Sequence, residues 1–274
     1  EYYRPIGSSG VFVAPRASYG RSRVNFFSGG SRNSEYVVQS FQIGADIGYS
    51  FSLKNEIRAG YTLGYESASR RIGDNVLPKI KGRFSAASVR WNYDGLNNAQ
   101  VPTKGILTRN SLNYIFDSPD STTGYAQFES RNMMFQPSGE RNVIFGFANA
   151  GSTIGSTAPQ LQQFALGGPF RLGGYGYDEF RGSNYAQGGF GYLYNPKSFP
   201  TFLGGKVYLG AWYEGGSIFE NRQTANYRQS GTGGAIIETP LGPVFIGASV
   251  NEKGRSRIYF SFGRLFRFSR SDSF

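Results

Sequence analysis

Apolar and polar residues alternate strictly along several stretches of the chain. Ile57, Ala59, Tyr61, Leu63 and Tyr65 are separated by Arg58, Gly60, Thr62 and Gly64, with Glu56 and Glu66 at the ends. Phe41, Ile43, Ala45, Ile47, Tyr49 and Phe51 alternate with Gln42, Gly44, Asp46, Gly48 and Ser50. Val207, Leu209, Ala211 and Tyr213 repeat the pattern, as do Val244, Ile246, Ala248 and Val250. Successive side chains of a β-strand point to opposite faces, so each segment has one apolar and one polar face. The pattern predicts strands over 9–18, 20–28, 36–51, 55–67, 80–94, 104–116, 123–135, 141–151, 185–196, 204–214, 229–238, 243–251 and 256–268. Turn chemistry separates them, as at Ser28-Gly29-Gly30, Asp74-Asn75, Ser118-Pro119-Asp120 and Glu252-Lys253-Gly254.

A soluble β-sandwich also alternates, and two details favour a membrane barrel. The polar face carries charges and glycines, as a crowded or water-filled lumen does. The segments also run to about 9–12 residues, the length a tilted strand needs to cross a bilayer, whereas soluble strands average nearer 5 or 6. The expectation is one all-β domain over 1–274, an antiparallel transmembrane β-barrel of about 12–16 strands. Residues 152–184 break the hairpin rhythm and predict a long loop, and connections of this length are usually functional or disordered.

Composition narrows the chemistry. The 274 residues include 39 Gly, 24 Phe and 19 Tyr but no Cys and no His, which removes disulfides, thiolate nucleophiles and the usual general base and zinc ligand. The net charge of +11 is mostly arginine and is spread along the chain. A nucleic-acid binder concentrates such charge on one face or tail, so no nucleic-acid partner is expected; a lumen, or a rim facing anionic headgroups, accounts for the spread. The chain starts at Glu1 without a charged-then-apolar leader, which is the expectation for a mature product or a fragment.

The loop holds Phe164-Ala165-Leu166-Gly167-Gly168-Pro169-Phe170-Arg171-Leu172-Gly173-Gly174-Tyr175, then Asp178-Glu179-Phe180-Arg181-Gly182. This segment resembles the inward-folded loop of the bacterial surface antigen superfamily, which includes barrel-assembly proteins, two-partner secretion transporters and patatin-like autotransporters. The LGG-x-x-RL-x-GY-x-x-x-E-x-x-G spacing looks closest to the patatin-like branch. Three further places agree with the superfamily: Phe12 to Arg16 with Tyr19-Gly20-Arg21, Asp94 with Pro102-Thr103-Lys104-Gly105, and Trp212-Tyr213-Glu214-Gly215-Gly216. The resemblance implies an outer-membrane barrel with the loop folded into its lumen. Five predicted strands follow the loop, as in the superfamily's sixteen-stranded barrel, so the chain reads as the C-terminal part of such a barrel or as a smaller one.

The resemblance also implies site residues. The loop motif is Gly167, Gly168, Arg171, Leu172, Gly173, Gly174, Tyr175, Glu179 and Gly182. In the superfamily a loop arginine reaches an acidic residue of the inner wall. Here Arg171 is the candidate, with Glu214 as its partner. Ser261, Gly263, Phe266 and Phe268 resemble the terminal assembly signal of outer-membrane barrels, within a last strand whose Ile258, Phe260, Phe262, Phe266 and Phe268 would face lipid, with Arg264 the exception on that face.

No catalytic constellation is present. A patatin hydrolase needs its serine in a G-x-S-x-G elbow, and the nearest pentapeptides, Gly60 to Gly64 and Gly151 to Gly155, have Thr at the centre. Gly231-Thr232-Gly233-Gly234 does not complete a phosphate loop. Asp117 and Asp120 could hold a cation, but scattered loop carboxylates are usually only solvated. No cofactor, metal or enzymatic activity is expected of this chain. The reading is a barrel that anchors, and helps export, an N-terminal patatin-like domain. Its partners would be outer-membrane lipids, lipopolysaccharide and the barrel-assembly machinery. The alternatives are a diffusion channel, a barrel-assembly or secretion transporter, and last a soluble lectin-like protein.

Overall fold

The structure is a computed structural model that describes residues 1–77, 80–196, 205–221, 223, 225–263 and 266. Its strands are β1 (Arg4–Pro5), β2 (Val11–Ser28), β3 (Ser31–Ser52), β4 (Asn55–Gly73), β5 (Ile80–Asp94), β6 (Gly105–Asp117), β7 (Tyr125–Pro137), β8 (Asn142–Ile154), β9 (Phe164–Leu166), β10 (Phe180–Gly182), β11 (Asn184–Tyr194), β12 (Val207–Phe219), β13 (Arg228–Ile237), β14 (Val244–Asn251) and β15 (Ser256–Phe262). Thirteen of them form one antiparallel sheet in chain order, from β1 to β8 and then β11 to β15. The other two, β9 and β10, pair as a small hairpin inside the long connection. No ladder joins β15 to β1 or β2 among the described residues.

The burial pattern is inverted relative to a soluble protein. On β3, Phe41, Ile43 and Ile47 are 53%, 48% and 57% exposed, while Gln42 and Asp46 are buried at 6% and 2%. The apolar face therefore points outward and the polar face inward, the arrangement a strand adopts when lipid is its outer solvent. Ladder register turns this into rows across β2–β5. Val13, Ile47, Ala59 and Val89 form one row, and Tyr19, Phe41, Tyr65 and Arg83 another. Phe41 and Phe51 stand ten residue steps apart, about 34 Å of strand, or about 26 Å of height at the usual barrel tilt, which matches an outer-membrane apolar band.

Strands β2, β3 and β4, at 18, 22 and 19 residues, exceed the roughly 9–11 that a crossing requires. The surplus lies beyond the Tyr19–Phe41–Tyr65 row, so these hairpins project past the membrane. Residues 9–18 and 20–28 are one strand rather than two, because Tyr19 and Gly20 continue the ladder to Phe41 and Ser40. Glycine there gives the backbone no reason to turn. Pro15 is tolerated in β2 because β1 covers only Val13 and Phe12 on that side, leaving the strand near an edge where a missing N–H costs little.

The last strand also differs from expectation. It ends at Phe262, where Gly263 takes φ +100°, a conformation that breaks a strand and favours glycine. Ile258, Phe260 and Phe262 face outward at 86%, 70% and 57% exposure, but Phe266 is buried. It packs edge-on against Phe135 and Phe145 and tilted against Phe170, all on the lumen side. Phe266 thus lies on the lumen side instead of continuing the lipid face. Arg264 and Phe268 lie outside the described residues.

Candidate functional site

The connection between β8 and β11 folds into the lumen, and its geometry follows from a handful of special backbone positions. Gly167 and Gly168 have φ of +127° and +102°, where side chains are strained. Phe170, Leu172 and Asp178 are left-handed without being glycine, at +59°, +73° and +54°. Such residues cost on the order of 1–3 kcal/mol each and persist only where the surroundings determine them. Around Phe170 and Leu172 the surroundings are the inner walls of β8, β11 and β12.

Glu214 is the centre of the contact. Its strand alternates with Leu209, Ala211 and Tyr213 outward and Tyr208, Trp212 and Glu214 inward, and Glu214 is fully buried. The carboxylate accepts the backbone N–H groups of Leu172 at 2.8 Å and Gly173 at 3.0 Å, one on each oxygen. Trp212 Nε1 at 3.3 Å and Gln187 Nε2 at 3.4 Å add two more donors. Successive backbone N–H groups that converge on an anion form a small nest, here provided by the loop for a charge on the wall.

Arg171 does not pair with Glu214. Its guanidinium turns back to the carbonyl of Ala165 within the loop. The reason is local: Leu172 and Gly173 present their N–H groups directly to the carboxylate, so the neighbouring side chain is directed away. Among the described residues, no cation lies within ion-pair distance of Glu214. The expected pair is replaced by a carboxylate held by backbone dipoles.

The remaining motif residues fasten the loop around this point. A Cβ on Gly173 would lie 2.6 Å from Ser249 Oγ and 2.7 Å from Thr232 Oγ1, and one on Gly174 would lie 2.5 Å from the Asn251 backbone nitrogen. Both glycines are therefore required by close approach to the wall. Tyr259 donates to the carbonyls of Gly173 at 2.5 Å and Tyr175 at 2.9 Å, and Asn251 donates to that of Gly174 at 3.1 Å. Tyr175 reaches Glu252 with its hydroxyl. Glu179 accepts the Gly176 N–H at 2.6 Å and lies 3.7 Å from Arg257. Gly182 packs against Ile218 and Phe219. Of the terminal residues, Ser261 pairs with Phe245 and Gly263 donates to the Pro243 carbonyl at 2.9 Å, both away from the loop.

An aromatic cluster underlies the loop tip. Phe170 stacks on Trp212 with centroids 4.4 Å apart and planes within 9°, and Phe135, Phe145, Phe147, Tyr208 and Phe245 line the same pocket. The loop's entry is held elsewhere: Leu161 N–H donates to Asp120 at 2.9 Å, and Gln162 Nε2 to Glu66 at 3.2 Å. Asp117 accepts from Ser85 at 2.6 Å. Asp120 and Asp117 are thus engaged by protein donors.

The opposite wall, β2 to β7, is lined by charge. Asp46 lies 2.5 Å from Arg90 and 3.8 Å from Arg16. Arg58 bridges Glu56 and Glu1 at 2.8 and 2.9 Å. Arg131 meets Glu129 at 2.7 Å, and Tyr185 donates to the same carboxylate at 2.7 Å. A polar cavity of about 290 Å³ lies against this wall, lined by Glu56, Arg90, Asp94, Arg109, Glu129 and Arg131 among others.

Sequence reasoning missed Gln187, Asn251, Glu252, Tyr259 and the Phe170–Trp212 stack. Alternation alone places Trp212 on Glu214's face, so that contact had a signal. Thr232, Ser249 and Asn251 share an inward parity too, but their meeting depends on ladder register, which no pattern within one strand reveals.

The Omp85 superfamily domain matches residues 11–266. No curated protein matches the chain. Among solved structures, BamA from Haemophilus ducreyi lacking POTRA domains 1-3 is similar at 14% identity and a TM-score of 0.73, covering 94% of this chain and 59% of that one. CdiB from Escherichia coli is similar at 12% identity and 0.66, with 94% and 51% covered. CdiB from Acinetobacter baumannii gives 12% and 0.59, with 91% and 45% covered. This chain spans about half the length of those structures, and at these identities the likeness is one of fold.

Proposed function

The chain belongs to the Omp85 superfamily, and from that premise we propose that this outer-membrane β-barrel handles polypeptide, in assembly or secretion, rather than passing small solutes. The observation that carries the reading is the lumen loop fastened at Glu214 by two backbone N–H groups. A diffusion channel needs an unobstructed path, whereas a loop locked to the inner wall is a plug that a larger event must displace. The rim where β2 to β5 project and the loop enters is assigned to the cell surface, since long connections lie on that side of outer-membrane barrels.

The finer reading rests on the LGG-x-x-RL-x-GY-x-x-x-E-x-x-G spacing alone. In it the barrel anchors and exports an N-terminal patatin-like domain, any lipid hydrolysis belongs to that domain, and the barrel-assembly machinery is the partner during biogenesis. Intact-mass and peptide analysis of the native protein purified from membranes tests it. A mass well above 30.1 kDa with a G-x-S-x-G peptide is the expected result, and native protein without such a peptide removes the patatin-like branch. Planar-bilayer recording tests the broader reading. Closed behaviour with rare openings is expected, and steady high conductance would favour the diffusion channel.

A further inference from the structure

The outward face of the sheet carries very little charge. Reading parity along every described strand, β6 to β8 and β11 to β15 present no Lys or Arg outward at all. On the regular ladders of β2 to β5, short of the bulges at Phe26/Phe27 and Glu35/Tyr36, the outward basic residues are Arg21, Arg23, Lys81 and Arg83, gathered towards one rim, while Arg4 of β1 stands apart in the Val13 row. Ladder register places them in consecutive rows. Arg83 ends the aromatic row of Tyr19, Phe41 and Tyr65, and Arg21 and Lys81 end the next row, with Gln39 and Ser67 between them. Arg23 stands one row further out.

We propose that this patch binds the bis-phosphorylated disaccharide headgroup of a glycolipid of the lipid A class in the outer leaflet. The proposal rests on the assignment of this rim to the cell surface. Three strand spacings separate Arg21 from Lys81, about 14 Å, a span comparable with that of phosphates carried at the two ends of a disaccharide. Gln39 and Ser67 supply hydroxyl and amide partners between the two cationic ends. Lys81 is held over the Tyr65 ring at 5.7 Å, which places its ammonium at the interface by cation–π attraction. Directly below, Ile43, Leu63 and Tyr61 are exposed on the apolar face, where the acyl chains of the same lipid would lie. Beyond these rows Arg32 and Arg71 share the single carboxylate of Glu35 with Arg23 of the patch, so these three arginines keep a surplus of positive charge. A phospholipid with one phosphate would satisfy only one end of the row.

Native mass spectrometry of the full-length protein in detergent tests the proposal, with bis-phosphoryl lipid A, monophosphoryl lipid A and phosphatidylglycerol as probes. The wild type is expected to retain bis-phosphoryl lipid A at least ~10-fold more strongly than the other two, given about five-fold per basic residue at a membrane surface. The Arg21→Ser/Arg23→Ser/Lys81→Ser/Arg83→Ser variant should fall to the monophosphoryl level, while Lys104→Ser/Lys206→Ser/Lys253→Ser should retain the lipid as the wild type does. Equal retention of the three lipids by the wild type, or unchanged retention by the quadruple variant, overturns the proposal. If the quadruple variant fails to fold, the wild-type comparison of the three lipids decides alone. Neither failure touches the polypeptide-handling reading, which is judged by conductance.

Discussion

Along β2 to β7 most inward charges meet one another within the wall, with Glu66 taking Gln42 and the loop's Gln162 instead, whereas along β11 to β15 the buried Glu214 is satisfied chiefly by the loop. Asp46 has Arg90 and Arg16, Arg58 has Glu56 and Glu1, and Arg131 has Glu129. Glu214 has Leu172 and Gly173. The difference sets what loop displacement would cost each side. The charged arc would keep its pairs and gain water. The aromatic arc would expose Trp212 and strip a buried carboxylate of its two shortest hydrogen bonds. The loop tip is therefore coupled to β8 and β11 to β15, while the loop entry is held separately by Asp120 and by Glu66 on β4.

Removing the carboxylate should break this asymmetry most strongly. Glu214→Ala leaves the N–H groups of Leu172, Gly173 and Trp212 without their acceptor, at about 1–3 kcal/mol for each buried group left unmade, so at least about 3 kcal/mol in all. The loop should then become cleavable by protease between 160 and 181, and bilayer conductance should rise. Glu214→Gln keeps one acceptor oxygen and should fall between. Loop protection equal to the wild type in Glu214→Ala would show that the carboxylate does not hold the loop.

The aromatic contact comes next. Phe170→Ala removes the stack on Trp212 and the contacts to Phe145, Phe147 and Phe266, a change worth about 3 kcal/mol by the usual cost of truncating a buried phenylalanine. Tryptophan fluorescence should shift to the red as water reaches Trp212, with less protease sensitivity than in Glu214→Ala. An unshifted spectrum would place Phe170 outside the pocket.

The strands were readable in the sequence because lipid enforces a period of two. Phe41 to Phe51 and Ile57 to Tyr65 could not alternate otherwise and still face two solvents. The long loop was visible through its glycines, and the inward parity of Glu214 through Leu209, Ala211 and Tyr213. What the sequence concealed was the donor set. Backbone N–H groups have no residue type, so a motif containing Arg171 beside Leu172 and Gly173 suggested a charge pair where dipoles do the holding. Tyr259 and Asn251 were hidden for a different reason, since their contacts depend on how five strands stack in register. The lumen-side position of Phe266 was hidden too, because Phe262, Phe266 and Phe268 read as one continuing face until the backbone angle at Gly263 is known.

A substitution on the opposite arc sharpens the comparison from the other side. Asp46→Asn removes the negative charge between Arg16 and Arg90, both partly buried, and should destabilise the barrel by on the order of 1–2 kcal/mol, less than a deeply buried pair because the lumen hydrates the arginines. The measurement is the temperature at which the folded, fast-migrating form is lost on a gel. Loop protection from protease should stay at the wild-type level. A loop freed by Asp46→Asn would mean that the two arcs are coupled and that the division drawn between them is wrong.

Arg171→Ala should have the smallest effect and bears most directly on how the loop is held. If Arg171 were the ionic partner of a fully buried Glu214, its loss would strand a charge at about 3–5 kcal/mol, and the variant would resemble Glu214→Ala. Among the described residues the guanidinium serves the Ala165 carbonyl, and its loss should cost about 1 kcal/mol, the net worth of one intramolecular hydrogen bond. A double-mutant cycle on loop cleavage by protease separates the two cases. Additive effects of Arg171→Ala and Glu214→Ala are expected, since the side chains share no contact. A coupling of several kcal/mol would restore the ion pair and make the backbone nest secondary to it.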